Sequence, residues 1–213
     1  MEYSVHFVLA LNGQGLQPLD VNLPNFLTLL RVPLVFVIVG LLYLPVTWMA
    51  TLAFICFIIG GITDWLDGYY ARKQGNITDF GKLMDALTDK IFILSLMMTL
   101  LVMDLIPVFW GLPCLLLILT REFLITGLRL VATNAGVVLA ADRSGKLKTV
   151  SQMLAVGLIL FGRALDLDYS LELLGCSAAK LGLAFFVLST LLTVYSGALY
   201  LKNYWGLFTG RKQ

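Results

Sequence analysis

The sequence predicts an all-α, polytopic membrane protein with six transmembrane helices. Three observations lead there. The 213 residues are 59% hydrophobic and only 13% charged, and the mean hydropathy is +0.90, a balance foreign to soluble domains. Apolar runs of spanning length recur along the chain. Between two of those runs lies a regularly spaced set of carboxylates, Asp64, Asp67, Asp85 and Asp89.

Residues 1–22 read as an extension suited to lie at the membrane interface. The stretch opens with Glu2, lacks a basic start, and its apolar part is too short for a signal peptide. Pro24-Asn25 leads into a first span over residues 26–44, in which Asn25, Thr28 and Arg31 share a face. Arg31, two turns inside, must snorkel or meet an anion. A second span, 48–72, ends in the first aspartate pair, with Gly60-Gly61 one turn earlier permitting close helix contact. Gly75-Asn76 suits a turn, and Asp79 suits the start of the third helix, whose span covers 80–102.

Pro107 fits the first turn of a fourth span reaching residue 131, in which Pro113 predicts a bend. Arg121 and Glu122 are adjacent and cannot point in the same direction, so one is expected to face the site while the other pairs with a neighbouring helix. Residues 132–148 read as a polar loop carrying Asp142, Arg143, Lys146 and Lys148. A fifth span follows over 147–165. Arg163, Asp166, Asp168 and Glu172 read as a mostly acidic loop, and a sixth span covers 178–201. Domain bounds follow as 1–22 for the extension, 23–205 for the membrane domain and 206–213 for a tail.

With six spans, both termini and the loops near Arg72, Arg129 and Lys148 fall on one side, together with most of the lysines and arginines. The positive-inside bias places that side, and a cytoplasm-facing active-site cavity, in the cytoplasm. Cys56, Cys114 and Cys176 have no metal-ligand spacing. His6 is the only histidine, which excludes a zinc centre or a Ser-His-Asp triad within the spans. No dinucleotide or Walker motif occurs, and no nucleic-acid partner is expected.

The carboxylates carry the chemistry. Asp64 and Asp67 are i,i+3 and Asp85 and Asp89 are i,i+4, so each pair shares a helix face. Gly68 and Gly81 leave room one turn from an acid. Acids beside apolar runs are costly unless paired or bound to metal. Two helices presenting two carboxylates each make the hard oxygen environment that suits Mg²⁺ or Mn²⁺.

The signature Asp64, Asp67, Gly68, Ala71, Arg72, Gly81, Asp85, Asp89 resembles, without departure, that of the CDP-alcohol phosphatidyltransferases. The resemblance implies transfer of a phosphatidyl group from CDP-diacylglycerol to an alcohol, with release of CMP. It implies two divalent ions held by Asp64, Asp67 and Asp85, with Asp89 as general base and a further contact to an ion. It also implies a CDP-diacylglycerol pocket involving Asn25, Asp67, Gly68, Ala71, Arg72 and Gly81.

The segment Arg121 to Arg129, the run Gly145-Lys-Leu-Lys148-Thr149 followed by Gln152, and Asn25-x-x-Thr28-x-x-Arg31 resemble a bacterial branch of the family that makes phosphatidylglycerophosphate. That implies glycerol 3-phosphate as acceptor, in the cytoplasmic membrane of a bacterium, and a homodimer among membrane lipids. A dianionic acceptor needs converging cations, which Arg31, Arg121, Arg143, Lys146 and Lys148 can supply, with Thr28 beside them. An inositol phosphate could use the same cations, and serine would need fewer. A non-enzymatic transporter with an intramembrane cation site stands as the other class of reading.

Overall fold

In the computed structural model, the backbone is described for residues 23–74, 79–134 and 143–208, and side chains for 30–63, 87–129, 132 and 147–202. The interfacial segment expected within 1–22, the Gly75-Asn76 turn, Asp142 and residues 209–213 lie outside the described residues. Six α-helices are described: α1 (Leu23–Tyr43), α2 (Met49–Gln74), α3 (Asp79–Val102), α4 (Val108–Asn134), α5 (Arg143–Leu167) and α6 (Glu172–Phe208).

The six-span expectation is corrected. Among the described residues, three helices are long and apolar enough to cross a membrane: Val108–Arg129, Leu147–Leu167 and Glu172–Lys202. Among the described residues, the apolar parts of the first two helices are the shorter stretches Leu30–Tyr43 and Met49–Thr63. For α2 and α3 the physical reason is charge within continuous helix. From Asp64 onward α2 carries Asp67, Arg72 and Lys73, and α3 carries Asp79, Lys82, Asp85, Asp89 and Lys90 before its apolar run. The chain is thus an all-α membrane protein with several membrane-spanning helices.

Helix boundaries also depart from the expected loops. α4 continues through Pro113 as far as Asn134. α5 begins at Arg143, so Arg143, Lys146 and Lys148 are helical rather than in a loop. Arg163 and Asp166 likewise stay within α5, and Glu172 opens α6. Polar residues end a hydropathy run without ending a helix, because backbone hydrogen bonds hold equally well in the headgroup layer.

The core gathers around α3, with Phe92, Met97 and Leu100 meeting Ile38 of α1, Ile118 of α4 and Val156 and Ile159 of α5, closed by Phe57 of α2 and Phe186 of α6. Large apolar side chains such as Phe36, Phe109, Leu173 and Leu191 face outward. Such outward apolar cover is expected where the solvent is lipid. α5 and α6 make the most extensive pairing. Their backbones approach where a Cβ on Gly162 would stand 2.6 Å from the Gly175 carbonyl oxygen, and one on Gly182 would stand 3.0 Å from that of Ala155. Gly175 and Gly182 therefore let the two backbones pack closely.

At the end of the bundle away from the aspartate pairs, Asp168 caps α2 across a long stretch of chain. Its Oδ1 accepts the Trp48 amide at 2.9 Å, and its Oδ2 accepts the Thr51 amide at 2.7 Å and hydroxyl at 2.6 Å. Trp48 enters the helix with φ 75°, and its ring meets Tyr169 edge-on at 5.2 Å. Partial burial pushes the Asp168 carboxyl up, but the Thr51 hydroxyl, the Thr51 amide and the Trp48 amide outweigh it and hold the pKa below its ordinary value.

A depressed folded-state pKa contributes stability above the unfolded value of about 3.9, and that stability is lost as pH falls through the folded value. Asp168→Ala should therefore lower the melting temperature at pH 7, by the equivalent of about 1 kcal/mol for a lost cap. The gap from the parent protein should close as pH drops below about 4. Thermal melts in detergent across that range check it; a gap independent of pH would refute the capping role.

Candidate active site

Helices α2 and α3 meet at Gly60. A Cβ there would stand 2.6 Å from Cζ of Phe92, and the rings of Phe57 and Phe92 stack with centroids 5.9 Å apart. Gly60 thus has a packing role, and Gly61 faces Met153 of α5. From the Gly60–Phe92 contact, position 64 lies one turn further along α2, and position 89 lies one turn earlier on α3. Two consecutive helices joined by a short connector therefore bring both acid-bearing segments to the same end of the bundle.

Asp64, Asp67, Gly68, Ala71 and Arg72 are helical in α2, and Gly81 and Asp85 are helical in α3. Their side chains lie outside the described set, as do those of Asn25 and Thr28 on α1 and Arg143 and Lys146 on α5. Asp89 is described and half-buried. Among the described residues, no three carboxylate, histidine or cysteine side chains converge on a point; Asp89 is the member of the four acids within that set. The donor chemistry still fits a hard divalent cation, because the four signature positions offer carboxylate oxygens alone from two helices in contact.

Arg31, Arg121, Arg129 and Lys148 lie at this same end. Arg31 is 2% exposed although charged. Lys148 is buried on α5 and pairs with buried Glu122 of α4. Arg121 donates to Ser196 Oγ of α6 at 2.9 Å, and its Nη1 lies 3.4 Å from Glu122 Oε1. Arg121 pairs with α6 and Glu122 with α5, and their charged ends also meet, so both of these adjacent residues engage neighbouring helices. Gly197 makes room for that arginine, since a Cβ there would stand 2.9 Å from Arg121 Cγ. Arg129 lies over the Tyr200 ring, 5.7 Å from its centroid.

Sequence reading placed no function on α6 and did not pair Glu122 with Lys148. A signal for α6 was present: Ser189, Thr193, Ser196 and Tyr200 recur at three- and four-residue steps, and all four are buried. The Glu122–Lys148 pairing had none, because it joins two helices separated in sequence. Gln152, one turn along α5 from Lys148, is also buried.

An apolar groove of about 630 Å³ runs between α2 and α5 beside this end. It reaches from Ile62 and Thr149, adjacent in sequence to Thr63-Asp64 and Lys148, to Phe54 and Phe161. Gly61 and Gly157 keep its walls low. Buried charged side chains beside an apolar groove suit a molecule with an anionic head and a hydrocarbon tail.

The profile of the CDP-alcohol phosphatidyltransferases matches residues 21–197. The chain is 37% identical over 196 residues to a CDP-diacylglycerol--glycerol-3-phosphate 3-phosphatidyltransferase of Bacillus subtilis (strain 168), covering 86% of this chain and 95% of that protein. It is 39% identical to a protein of the same name from Rickettsia prowazekii (strain Madrid E), over 68% of this chain and 77% of that one. To another of that name from Escherichia coli (strain K12) it is 33% identical, over 85% of this chain and 93% of the relative. With the whole eight-residue signature on α2 and α3 and a match across most of its length, the chain belongs to the CDP-alcohol phosphatidyltransferase family.

Proposed function

We propose that the protein transfers the phosphatidyl group of CDP-diacylglycerol to glycerol 3-phosphate, giving phosphatidylglycerophosphate and CMP. The observation that carries this reading is the complete signature divided between α2 and α3, joined at Gly60–Phe92. The relatives' names support the donor and acceptor. The apolar groove between α2 and α5 supports a substrate whose acyl chains remain in lipid.

In this reading Asp64, Asp67, Asp85 and Asp89 hold two Mg²⁺ or Mn²⁺ ions. When bound, such ions neutralise the diphosphate and polarise the phosphoryl group. Asn25, Asp67, Gly68, Ala71, Arg72 and Gly81 line the place of the cytidine diphosphate head. Thr28, Arg31, Arg121, Arg143, Lys146 and Lys148 receive the acceptor's phosphate. Asp89 takes the proton of the acceptor hydroxyl as its oxygen bonds to the phosphatidyl phosphorus, and the bond from that phosphorus to the departing CMP breaks. Glu122 holds Lys148 in place for its task.

The site end faces the cytoplasm of a bacterial cell membrane in this reading. Lys73, Lys82, Arg129 and Lys202 fall at that end in the sequence, whereas the opposite end carries Asp104, Asp166 and Asp168 beside Arg163. α1 begins and α6 ends on that same side, and two copies of the chain form a dimer. Purified protein supplied with CDP-diacylglycerol, glycerol 3-phosphate and Mg²⁺ or Mn²⁺ should release CMP and a lipid bearing a terminal phosphate. Serine, an inositol phosphate and plain glycerol, assayed in parallel, should react poorly. A preference for any of them would overturn the named acceptor.

A further inference from the structure

A cavity of about 490 Å³ lies at the end of the bundle away from the aspartates, outside the transfer site. It forms where the end of α1 and the following turn (Tyr43, Pro45, Thr47) meet Met103 and the end of α5 (Arg163, Asp168). Arg163 is half-buried, its Nε is enclosed without a hydrogen-bond partner, and no ion pair to it occurs among the described residues. Asp168 lines the same cavity without bridging to Arg163. Its carboxylate accepts three bonds from Trp48 and Thr51, which leaves about one of some four lone-pair positions.

A guanidinium near the end of a membrane span is costly unless an anion or water meets it. Here a cation and an anion face one cavity from separate places and do not neutralise each other. Tyr43, Trp48 and Tyr169 are exposed around this end, which places it at headgroup depth. Leu44 and Val46, also exposed, offer apolar cover next to the cavity wall. Asp104, Asp166, Asp168 and Glu172 outnumber Arg163 and Lys180 at this end, a balance that disfavours a purely anionic ligand.

We propose that this cavity binds the headgroup of a zwitterionic phospholipid with a primary ammonium, in the leaflet opposite the active-site end. The phosphodiester sits on Arg163 and the ammonium on the remaining lone pair of Asp168. Charges of both signs within one small cavity match a head that carries both. The chains then run down the apolar outer surface.

The test uses the full chain purified in detergent. Its ligands are short-chain phosphatidylethanolamine, short-chain phosphatidylglycerol, glycerophosphoethanolamine and inorganic phosphate, with binding read by native mass spectrometry and by equilibrium dialysis. Phosphatidylethanolamine should bind more tightly than phosphatidylglycerol, and Arg163→Gln should weaken it by about ten- to a hundredfold, as loss of a charged hydrogen bond implies. Arg163→Lys, which keeps the charge as a point rather than a fork, should fall between. Transfer activity of both variants should persist and attests their folding.

Weaker binding of glycerophosphoethanolamine and phosphate than of the lipid identifies the membrane as the source. Equal binding of phosphatidylglycerol, lipid binding unchanged in Arg163→Gln and Arg163→Lys, or phosphate binding as tight as the lipid would each overturn the proposal.

Discussion

Asp89→Asn is expected to lower turnover by roughly 10²–10⁴-fold, the usual contribution of a general base, while CDP-diacylglycerol still binds. Asparagine keeps the size of the side chain but cannot accept the hydroxyl proton at neutral pH. Position 89 sits one turn from the Gly60–Phe92 contact that joins the two acid-bearing helices, so the change should leave the packing intact. Asp64→Asn, Asp67→Asn and Asp85→Asn should each nearly abolish transfer and weaken divalent-ion binding, because one ligand lost from an all-carboxylate set removes both charge and coordination. Asp79→Asn, at the first residue of α3 and outside the signature, should be mild. Steady-state assays with Mg²⁺ titration on folded variants measure all five. Near-normal turnover in two or more of the signature variants would remove the carboxylates from the chemistry, and normal turnover in Asp89→Asn alone would remove the base.

The aspartate signature was legible because its information is local. Spacings of three and four residues fix a helix face wherever the helix goes, and α2 and α3 do carry all eight positions. The number of spans was not. Counting apolar runs treats the charged turns of α2 and α3 as the ends of full spans, whereas among the described residues the apolar parts of α1 and α2 fall short. Helix ends were misread for a related reason: Arg143 and Lys146 looked like loop residues, yet a helix that leaves hydrocarbon keeps its hydrogen bonds. Tertiary partners were the least legible. Asp168 looked like one member of an acidic loop, and its capping of Thr51 joins positions 117 apart. Glycines 162 and 175 are visible in the sequence, but nothing local says that each faces the other.

Glu122→Leu is expected to destabilise the protein by roughly 3–5 kcal/mol, since removing one member of a buried pair leaves the other charge without compensation. Glu122 is the anion between two cations, paired with Lys148 and 3.4 Å from Arg121. Its loss would leave both cations facing each other inside the bundle. Lys148→Met should be the milder change for stability, because Glu122 retains Arg121 and methionine fills a similar volume. The double replacement Glu122→Leu with Lys148→Met should recover part of the loss, as removal of a whole buried pair is often close to neutral. Melting in detergent for the two single variants and the double isolates the coupling between the pair. Kinetics then separate structure from substrate contact. If Lys148 receives the acceptor's phosphate, the folded Lys148→Met variant should show a raised KM for glycerol 3-phosphate with little change for CDP-diacylglycerol. An unchanged KM for the acceptor would leave Lys148 as a partner of Glu122 alone, and equal melting temperatures across the three variants would show that the pair does not hold α4 to α5.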